Sequence, residues 1–247
     1  MKRRVLLIVV AALVLLACGS SGDSEFTGYQ LQEVLSAEWT SYKQDKPAAF
    51  GGGLAMEIIS PKGAYFLATA MAPEVTDGSH FRAASCTKTF TAAAIMLLQQ
   101  RGKLNIDDPI TAAIPGTATP YVPETANFSI PYKSQITIRM LLMHRAGVFD
   151  VANNQLPGTV PPPYGGKYYI EYVLEQDPNH QFTFDELIGV NAAYGLGKAP
   201  GVAYEYSNTG YSILGKIIER VSGRTYGAFV KDELMTPNQL WSSSLPS

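Results

Sequence analysis

The chain has 247 residues, of which 46% are hydrophobic and 11% aromatic, enough to bury the core of one large domain or two interleaved ones. Its 22 glycines and 16 prolines are typical of a mixed globular protein and argue against a fibrous or disordered one. The net charge is −2, and lysine and arginine cluster only in the first four residues. The composition therefore gives no support for nucleic-acid binding.

The N-terminus has the features of an export signal. Residues 2–4 are basic, and residues 5–17 are all apolar. Because this apolar run is shorter than the ~20 residues that a spanning helix needs, we predict a signal peptide over residues 1–17. The alternative is an uncleaved membrane anchor. Residues 15–18 (Leu-Leu-Ala-Cys) resemble a bacterial lipoprotein box, which implies that Cys18 is lipidated.

The resemblance to a lipoprotein also implies a location. Residues 18–28 contain the Gly/Ser-rich start of the mature chain and are predicted to be a flexible tether. We expect an exported protein that is lipid-anchored through Cys18 in the bacterial cell envelope, on the periplasmic face. Gly19 rather than Asp after the cysteine favours the outer membrane. With Cys18 lipidated, only Cys86 remains, so no intrachain disulfide is expected.

Apolar spacing predicts helices, one hairpin and two long loops in the rest of the chain. The strongest helix is rich in Ala, Leu, Ile and Met and ends before Gly102. Two short runs of strand character flank a Ser-Pro-Lys-Gly turn. No strand–helix–strand alternation is present, which argues against a doubly wound sheet. The predicted segments are helices at 29–43, 87–101, 137–143, 211–221 and 226–235, strands at 54–59 and 64–69, and loops at 115–135 and 152–168.

Ser85 and Lys88 form a Ser-x-x-Lys pair at the start of the strongest helix. Positions three apart lie on one face of a helix, so Ser85 Oγ and Lys88 Nζ should meet. A serine hydroxyl becomes a good nucleophile when an adjacent base takes its proton, and a lysine in apolar surroundings can be that base. The helix N-terminus also offers N–H groups where negative charge would develop. The alternative is a helix-capping serine followed by a solvated lysine.

Tyr206 and Asn208 form a second motif, Tyr-Ser-Asn, at a transition from loop to helix. The Tyr206 phenol can relay a proton between a nucleophile and a leaving group. The Asn208 amide can bind both a substrate carbonyl and a lysine ammonium. Alone, the segment would be an ordinary capping loop with a packed tyrosine. The presence of both motifs, in this order, favours a catalytic site.

Four stretches resemble the serine β-lactamase and penicillin-recognising family, in the branch of class C β-lactamases, D-Ala-D-Ala carboxypeptidases and related esterases. Residues 81–91 are similar to its nucleophile segment, and residues 102–109 to the turn after that helix. Residues 137–148 resemble its Leu-Leu-x-His-x-Ser-Gly-Leu stretch. Residues 206–223 follow its Tyr-Ser-Asn-x-Gly-Tyr pattern almost without a break. The resemblance covers roughly residues 30–240.

The resemblance implies a fold of mixed α/β (α+β) class, β-lactamase/transpeptidase-like. An antiparallel sheet flanked by helices would combine with a helical subdomain at about 75–200, in a domain over residues 29–247. The sheet is expected to use residues 30–72 together with segments after residue 200.

The resemblance also implies an activity. Ser85 would form an acyl-enzyme, assisted by Lys88, and Tyr206 would be general base or proton relay; which of lysine and tyrosine is the base stays open. Asn208 would orient the substrate amide, and His144 would be a buried, hydrogen-bonded structural residue. The implied substrates are D-Ala-D-Ala peptides of peptidoglycan, β-lactams or simple esters. The alternatives are a penicillin-binding sensor that is acylated but not turned over, and an inactive envelope scaffold.

The sequence departs from the family pattern in three ways. No Lys/His-Thr/Ser-Gly triplet follows Asn208, although that third motif supplies one of two oxyanion-hole donors in the family. Losing one such donor costs roughly 10²–10³ in rate. We therefore expect the sequence to be the N-terminal part of a longer protein, without the C-terminal strands and with reduced or no activity by itself. Cys86 replaces a β-branched apolar residue, and Arg145 and Ala146 replace the usual Thr-Ser.

No cofactor or metal is expected. The three histidines are isolated from one another and from the cysteines, so no ligand cluster forms. Residues 210–217 nearly match a P-loop, but Ile217 stands where a hydroxyl must bind magnesium, and the segment reads as a helix. We therefore reject nucleotide binding. The absence of a Gly-x-Ser-x-Gly turn also disfavours an α/β-hydrolase.

Overall fold

The computed structural model describes residues 28–44, 46, 51–61 and 63–244. The predicted signal peptide, Cys18 and all but the last residue of the predicted tether lie outside the described residues. The chain divides into two compact units, residues 1–81 and 82–247. The subdomain limits near 75 and 200 stay a prediction. None of the described helices is both long and apolar enough to cross a membrane.

The first unit contains one helix and one β-hairpin, as predicted. Helix α1 covers Gly28–Lys43, and strands β1 (Leu54–Ser60) and β2 (Gly63–Thr69) pair antiparallel. The Gln32 side chain joins α1 to β2, because its Nε2 donates to Ala68 O at 2.9 Å and its Oε1 accepts from Ala68 N at 3.3 Å. One amide therefore satisfies both backbone groups of an edge residue.

The sheet has two strands among the described residues. Our expectation that segments after residue 200 would join it is wrong for the described part of the chain. Residues 208–222 form the helix predicted at 211–221, whose apolar side chains recur at helical rather than alternating spacing, and no described residue after 200 lies in a strand.

The second unit is mostly helical. The helices predicted at 87–101, 137–143 and 211–221 are confirmed to within a few residues, and the one at 226–235 changes to a π-helical turn, Lys231–Met235, at its C-terminal end. Short 3₁₀ turns lie at Ala84–Cys86, Ala126–Phe128 and Lys133–Gln135. The helices are α2 (Thr87–Gln100), α3 (Ile138–Leu142), α4 (Tyr169–Gln176), α5 (Phe184–Tyr194), α6 (Asn208–Ser222) and α7 (Tyr226–Val230).

Helices α4 and α5 were not predicted from the sequence. The start of α5 carries a recognisable signal, since Thr183 is followed three residues later by Glu186. Thr183 Oγ1 accepts the Glu186 N–H at 3.1 Å and so caps the helix. The Glu186 carboxylate, however, bonds His180 and Tyr169 rather than closing a capping box.

Helix α6 is central to the second unit and packs against α2, α3, α5 and α7. Its inward residues Ile213, Leu214, Ile217 and Ile218 have no exposed surface. Each such side chain stabilises the fold by about 1.5–3 kcal/mol relative to an exposed position. The apolar face of α6 therefore fixes where its N-terminus lies.

Backbone hydrogen bonds join the loop before α6 to residues 144–147. Three amides of the loop donate to carbonyls of that segment: Lys198 to Gly147 at 2.9 Å, Gly201 to Arg145 at 2.7 Å and Glu205 to His144 at 2.7 Å. Gly147 has φ +65°, and a Cβ there would lie 2.3 Å from the Lys198 carbonyl oxygen. The close approach of the two segments therefore requires glycine.

We expect Gly147→Ala to destabilise the protein by at least about 2 kcal/mol more than Gly102→Ala, because both variants carry the same backbone strain and only Gly147→Ala adds a steric clash with the Lys198 carbonyl. Gly102 is a matched control, since it has the same φ of +65° and a Cβ added there would meet nothing within 4 Å. Urea unfolding of the two variants measures the difference. Equal losses would mean that the approach of Lys198 does not constrain position 147.

Candidate active site

The N-terminus of α2 carries the predicted nucleophile. The 3₁₀ turn Ala84–Cys86 runs directly into α2, which places Ser85 one turn before Lys88. Lys88 Nζ donates to Ser85 Oγ at 3.4 Å. Ser85 is exposed, whereas Lys88 is partly buried. Ala84 has a φ of +46°, so the backbone is strained at the residue before the serine, a feature that often accompanies a functional site.

Tyr206 contacts the same hydroxyl from the other motif. Its phenolic oxygen lies 2.7 Å from Ser85 Oγ. The tyrosine is held there because the next residue, Ser207, caps α6 by accepting the Gly210 N–H at 3.0 Å. The cap places Tyr206 just before the helix and Asn208 at its first residue.

Asn208 completes the contacts of the lysine. Lys88 Nζ donates to Asn208 Oδ1 at 2.5 Å. The same nitrogen lies 4.9 Å from the centroid of the Tyr206 ring and 5.6 Å from that of Tyr211, within the range of cation–π attraction. The structure therefore brings together all four residues that the sequence singled out.

Asp150 contacts Asn208, and the sequence analysis did not identify it as a site residue. It is 2% exposed, and its carboxylate accepts the Asn208 amide at 3.1 Å and 3.3 Å. The sequence holds one signal that could have found it. Residues 146–151 (Ala-Gly-Val-Phe-Asp-Val) form an apolar run that a single charge interrupts, and a charge in a buried run is rare unless it has partners.

His144 supports Tyr206. Its Nδ1 accepts the Ser207 N–H at 3.1 Å, and its ring centroid lies 4.4 Å from that of Tyr206 and 5.0 Å from that of Tyr211. The ring is therefore hydrogen-bonded, as expected, but only partly buried. Burial lowers the pKa of His144, and the nearby Lys88 charge lowers it further, while Asp150 opposes them.

We expect the protein to lose stability as the pH falls below about 6.5, where an unfolded histidine takes up a proton that folded His144 resists. The stability that neutral His144 contributes is fully present above pH 6.5 and is lost as the pH falls from there through the lower pKa of the folded state. His144→Asn, whose amide oxygen can still accept the Ser207 N–H, should flatten this part of a stability-against-pH curve. His80→Asn, at an exposed position, should leave the curve unchanged. A slope retained in His144→Asn would assign the titration to another group.

No group of three or more His, Cys, Asp or Glu side chains within residues 28–44, 46, 51–61 and 63–244 could hold a metal ion.

The Cys86 thiol is exposed beside Ser85. Arg145 is also exposed, and its guanidinium donates to Gly201 O at 3.1 Å, which ties it to the loop before α6.

A serine hydroxyl that bonds both a tyrosine and a lysine at the start of a helix is the arrangement of an activated serine nucleophile. The sequence supports the same interpretation over most of its length, because the profile of the Beta-lactamase family matches residues 35–247. The chain belongs to the Beta-lactamase family, a family of serine hydrolases.

Curated relatives include two bacterial penicillin-binding proteins. Penicillin-binding protein 4* of Bacillus subtilis (strain 168) is 30% identical over 161 residues, which are 64% of this chain and 29% of that protein. Penicillin-binding protein 4 of Amycolatopsis lactamdurans is 28% identical over 169 residues, 68% of this chain and 37% of that protein. The chain thus spans about a third of the length of these relatives.

Solved structures confirm the fold. A D-stereospecific amidohydrolase from Streptomyces sp. superposes with a TM-score of 0.63 at 24% identity, covering 87% of this chain and 56% of that one. D-amino acid amidase from Ochrobactrum anthropi SV3 gives 0.58 at 24% identity, covering 84% and 52%. The expected β-lactamase/transpeptidase-like fold with mixed helix and sheet is therefore confirmed.

Proposed function

We propose that this protein is a serine hydrolase that forms an acyl-enzyme on Ser85. The observation that carries the proposal is the pair of contacts to Ser85 Oγ, 2.7 Å from Tyr206 and 3.4 Å from Lys88. A hydroxyl with two proton partners can be deprotonated as it attacks, which is what a serine nucleophile needs.

The reaction would proceed in two steps. Ser85 Oγ attacks the substrate carbonyl. Its proton passes either to the Tyr206 oxygen, as Tyr206 gives its own proton to the leaving group, or to a neutral Lys88 amine, which then gives it to the leaving group. The bond between the carbonyl carbon and the protonated leaving group then breaks. Water then attacks the Ser85 ester, the carbonyl–Oγ bond breaks, and the serine hydroxyl is restored. The shorter contact favours Tyr206 as the immediate proton acceptor.

The start of α2 supports the charge that develops during this attack. A helix N-terminus presents free N–H groups and the positive end of the helix dipole, both of which stabilise an oxyanion. Helix α2 is 14 residues long and begins two residues after Ser85. We propose that its first turn stabilises the substrate carbonyl oxygen as that oxygen becomes negative.

Amides, peptides and β-lactams are the proposed acyl donors. The relatives include proteins named for penicillin binding and for D-amino acid amidase activity. Both names describe a carbonyl attached to nitrogen, so we propose D-Ala-D-Ala peptides, β-lactams or related esters and amides as substrates. A sensor that is acylated but not turned over, or an inactive scaffold, remains the alternative class.

Ser85→Ala should abolish covalent labelling by a fluorophosphonate or a fluorescent penicillin, because the acyl-accepting oxygen is removed. Gel fluorescence measures the label. Cys86→Ala is the matched control, since it removes the adjacent exposed thiol and leaves the serine. Undiminished labelling of Ser85→Ala, or its loss in Cys86→Ala, would overturn the assignment.

The same assay separates the hydrolase from its alternatives. A hydrolase releases product repeatedly after labelling begins. Labelling that stops at one equivalent per protein, with no release, would identify a sensor. No labelling of the full-length wild-type protein would identify a scaffold.

We also propose that the protein is held in the cell envelope by a lipid on Cys18. Cys18→Ala should move the protein from the membrane pellet to the soluble fraction, because a lipid chain contributes most of the affinity for a bilayer. Sedimentation of membranes followed by immunoblotting measures this. Ser20→Ala, two residues further on, should leave the protein in the pellet. Continued sedimentation of Cys18→Ala would exclude anchoring through this residue.

A further inference from the structure

We propose that Asp150 is a positioning residue of this site, one that fixes the Asn208 amide so that its oxygen holds Lys88 against Ser85. The inference rests on the proposed function, since it assigns a role in the acylation of Ser85. The chain of contacts runs from Asp150 to Asn208 Nδ2 at 3.1 Å and from Asn208 Oδ1 to Lys88 Nζ at 2.5 Å. It ends at Ser85 Oγ, 3.4 Å from the lysine nitrogen.

The surroundings of the Asp150 carboxylate consist of donors. Its Oδ1 accepts the Ala152 N–H at 3.1 Å, and its Oδ2 accepts the Asn153 amide at 2.9 Å. The Asn208 amide contacts both oxygens. An ionised carboxylate can only accept, so every one of these contacts suits it.

This chemistry determines which way the Asn208 amide faces. An asparagine side chain has one donating end and one accepting end, and a flip of the amide exchanges them. The acceptor-only Asp150 carboxylate requires the NH₂ end. The oxygen must then point the other way, toward Lys88, whose ammonium can only donate.

The backbone around Asp150 holds the carboxylate in place. The carbonyl of Phe149 accepts the Asn191 side-chain amide at 3.0 Å, and the N–H of Val151 donates to Thr209 Oγ1 at 3.1 Å. Asn191 is 0% exposed and Thr209 1% exposed. Both neighbours of Asp150 are therefore joined by hydrogen bonds to buried side chains of α5 and α6.

The burial of Asp150 argues for a role beyond the fold. A carboxylate that is 2% exposed has lost most of its hydration, which costs several kcal/mol unless hydrogen bonds offset it. Its contacts to Ala152 and Asn153 cap a turn, and a neutral side chain could do the same. The contact to Asn208 connects the carboxylate to a charged group, the Lys88 ammonium, through one shared amide.

Lys88 needs such a partner because its side chain is a flexible four-carbon stem. Without a fixed Asn208 oxygen, the ammonium can leave the Ser85 hydroxyl, and a misplacement of about 1 Å of a reacting group can cost about 10²-fold in rate. Asp150 faces Asn208 and not the reacting oxygen. We therefore expect its loss to slow acylation and to leave probe binding unchanged.

The first test measures fluorophosphonate labelling of Asp150→Ala, Asp150→Asn and Asn153→Ala, with the maximal rate constant separated from the half-saturating concentration. We expect the rate constant to fall by about a hundredfold in Asp150→Ala and less in Asp150→Asn, which keeps one acceptor oxygen. The half-saturating concentration should stay constant. Asn153→Ala is the matched control, since it removes a donor from the same carboxylate and leaves Asn208 in place.

The second test needs no reaction. The side-chain NH₂ signals of Asn208, assigned by their loss in Asn208→Ser, should exchange with water at least tenfold faster in Asp150→Ala than in wild type or Asn153→Ala. Thermal melts of each variant set a measuring temperature at which all are folded. Unchanged exchange in Asp150→Ala would overturn the proposal even if that variant labels slowly.

The outcomes separate the inference from the function on which it rests. Wild type that labels at Ser85 together with Asp150→Ala that labels equally fast overturns the role of Asp150 and leaves the hydrolase intact. Wild type that does not label overturns the hydrolase, and an exchange difference would then make Asp150 a structural residue only. A rise in the half-saturating concentration with an unchanged rate constant would assign Asp150 to substrate binding instead.

Discussion

The packing of α6 against α2 places every residue of the candidate site. The buried face of α6 fixes the helix axis, and the Ser207 cap fixes the residue at which the helix begins. Tyr206 and Asn208 flank that cap, and both side chains contact Lys88 Nζ. Helix α2 supplies the other half, because one turn separates Ser85 from Lys88. The chemistry of the site therefore depends on two helix N-termini that core packing brings together.

Residues 144–150 contact the start of α6 and hold its site residues in place. His144 lies against the Tyr206 ring and accepts the N–H of the cap residue, and Asp150 accepts the Asn208 amide. Between them, Gly147 allows the loop before α6 to approach closely. Side chains on a loop-to-helix transition would otherwise sample several positions, and the proton transfer that we propose requires fixed ones.

The sequence was sufficient to predict the parts of the site that depend on local spacing. The Ser-x-x-Lys pair lies on one helix face by geometry alone, and the Tyr-Ser-Asn motif lies at a helix start because serine caps well. The contact between the two motifs could be predicted only from the family resemblance. Local spacing gives no information about two residues that are 120 positions apart in the chain. Asp150 was not predicted because its hydrogen-bond partner, Asn208, is distant in the sequence. The sheet was mispredicted after residue 200, where apolar periodicity favoured helix and only the resemblance suggested strands.

The central claim is that the oxygen of Ser85 is the acyl-accepting atom. Tandem mass spectrometry of the protein after treatment with a fluorophosphonate tests it most directly, because trypsin cuts after Arg82 and Lys88 and releases residues 83–88 as one peptide. We predict a phosphonyl adduct on Ser85 within that peptide. An adduct on Cys86 or Thr87, or on a peptide from elsewhere in the chain, would contradict the claim.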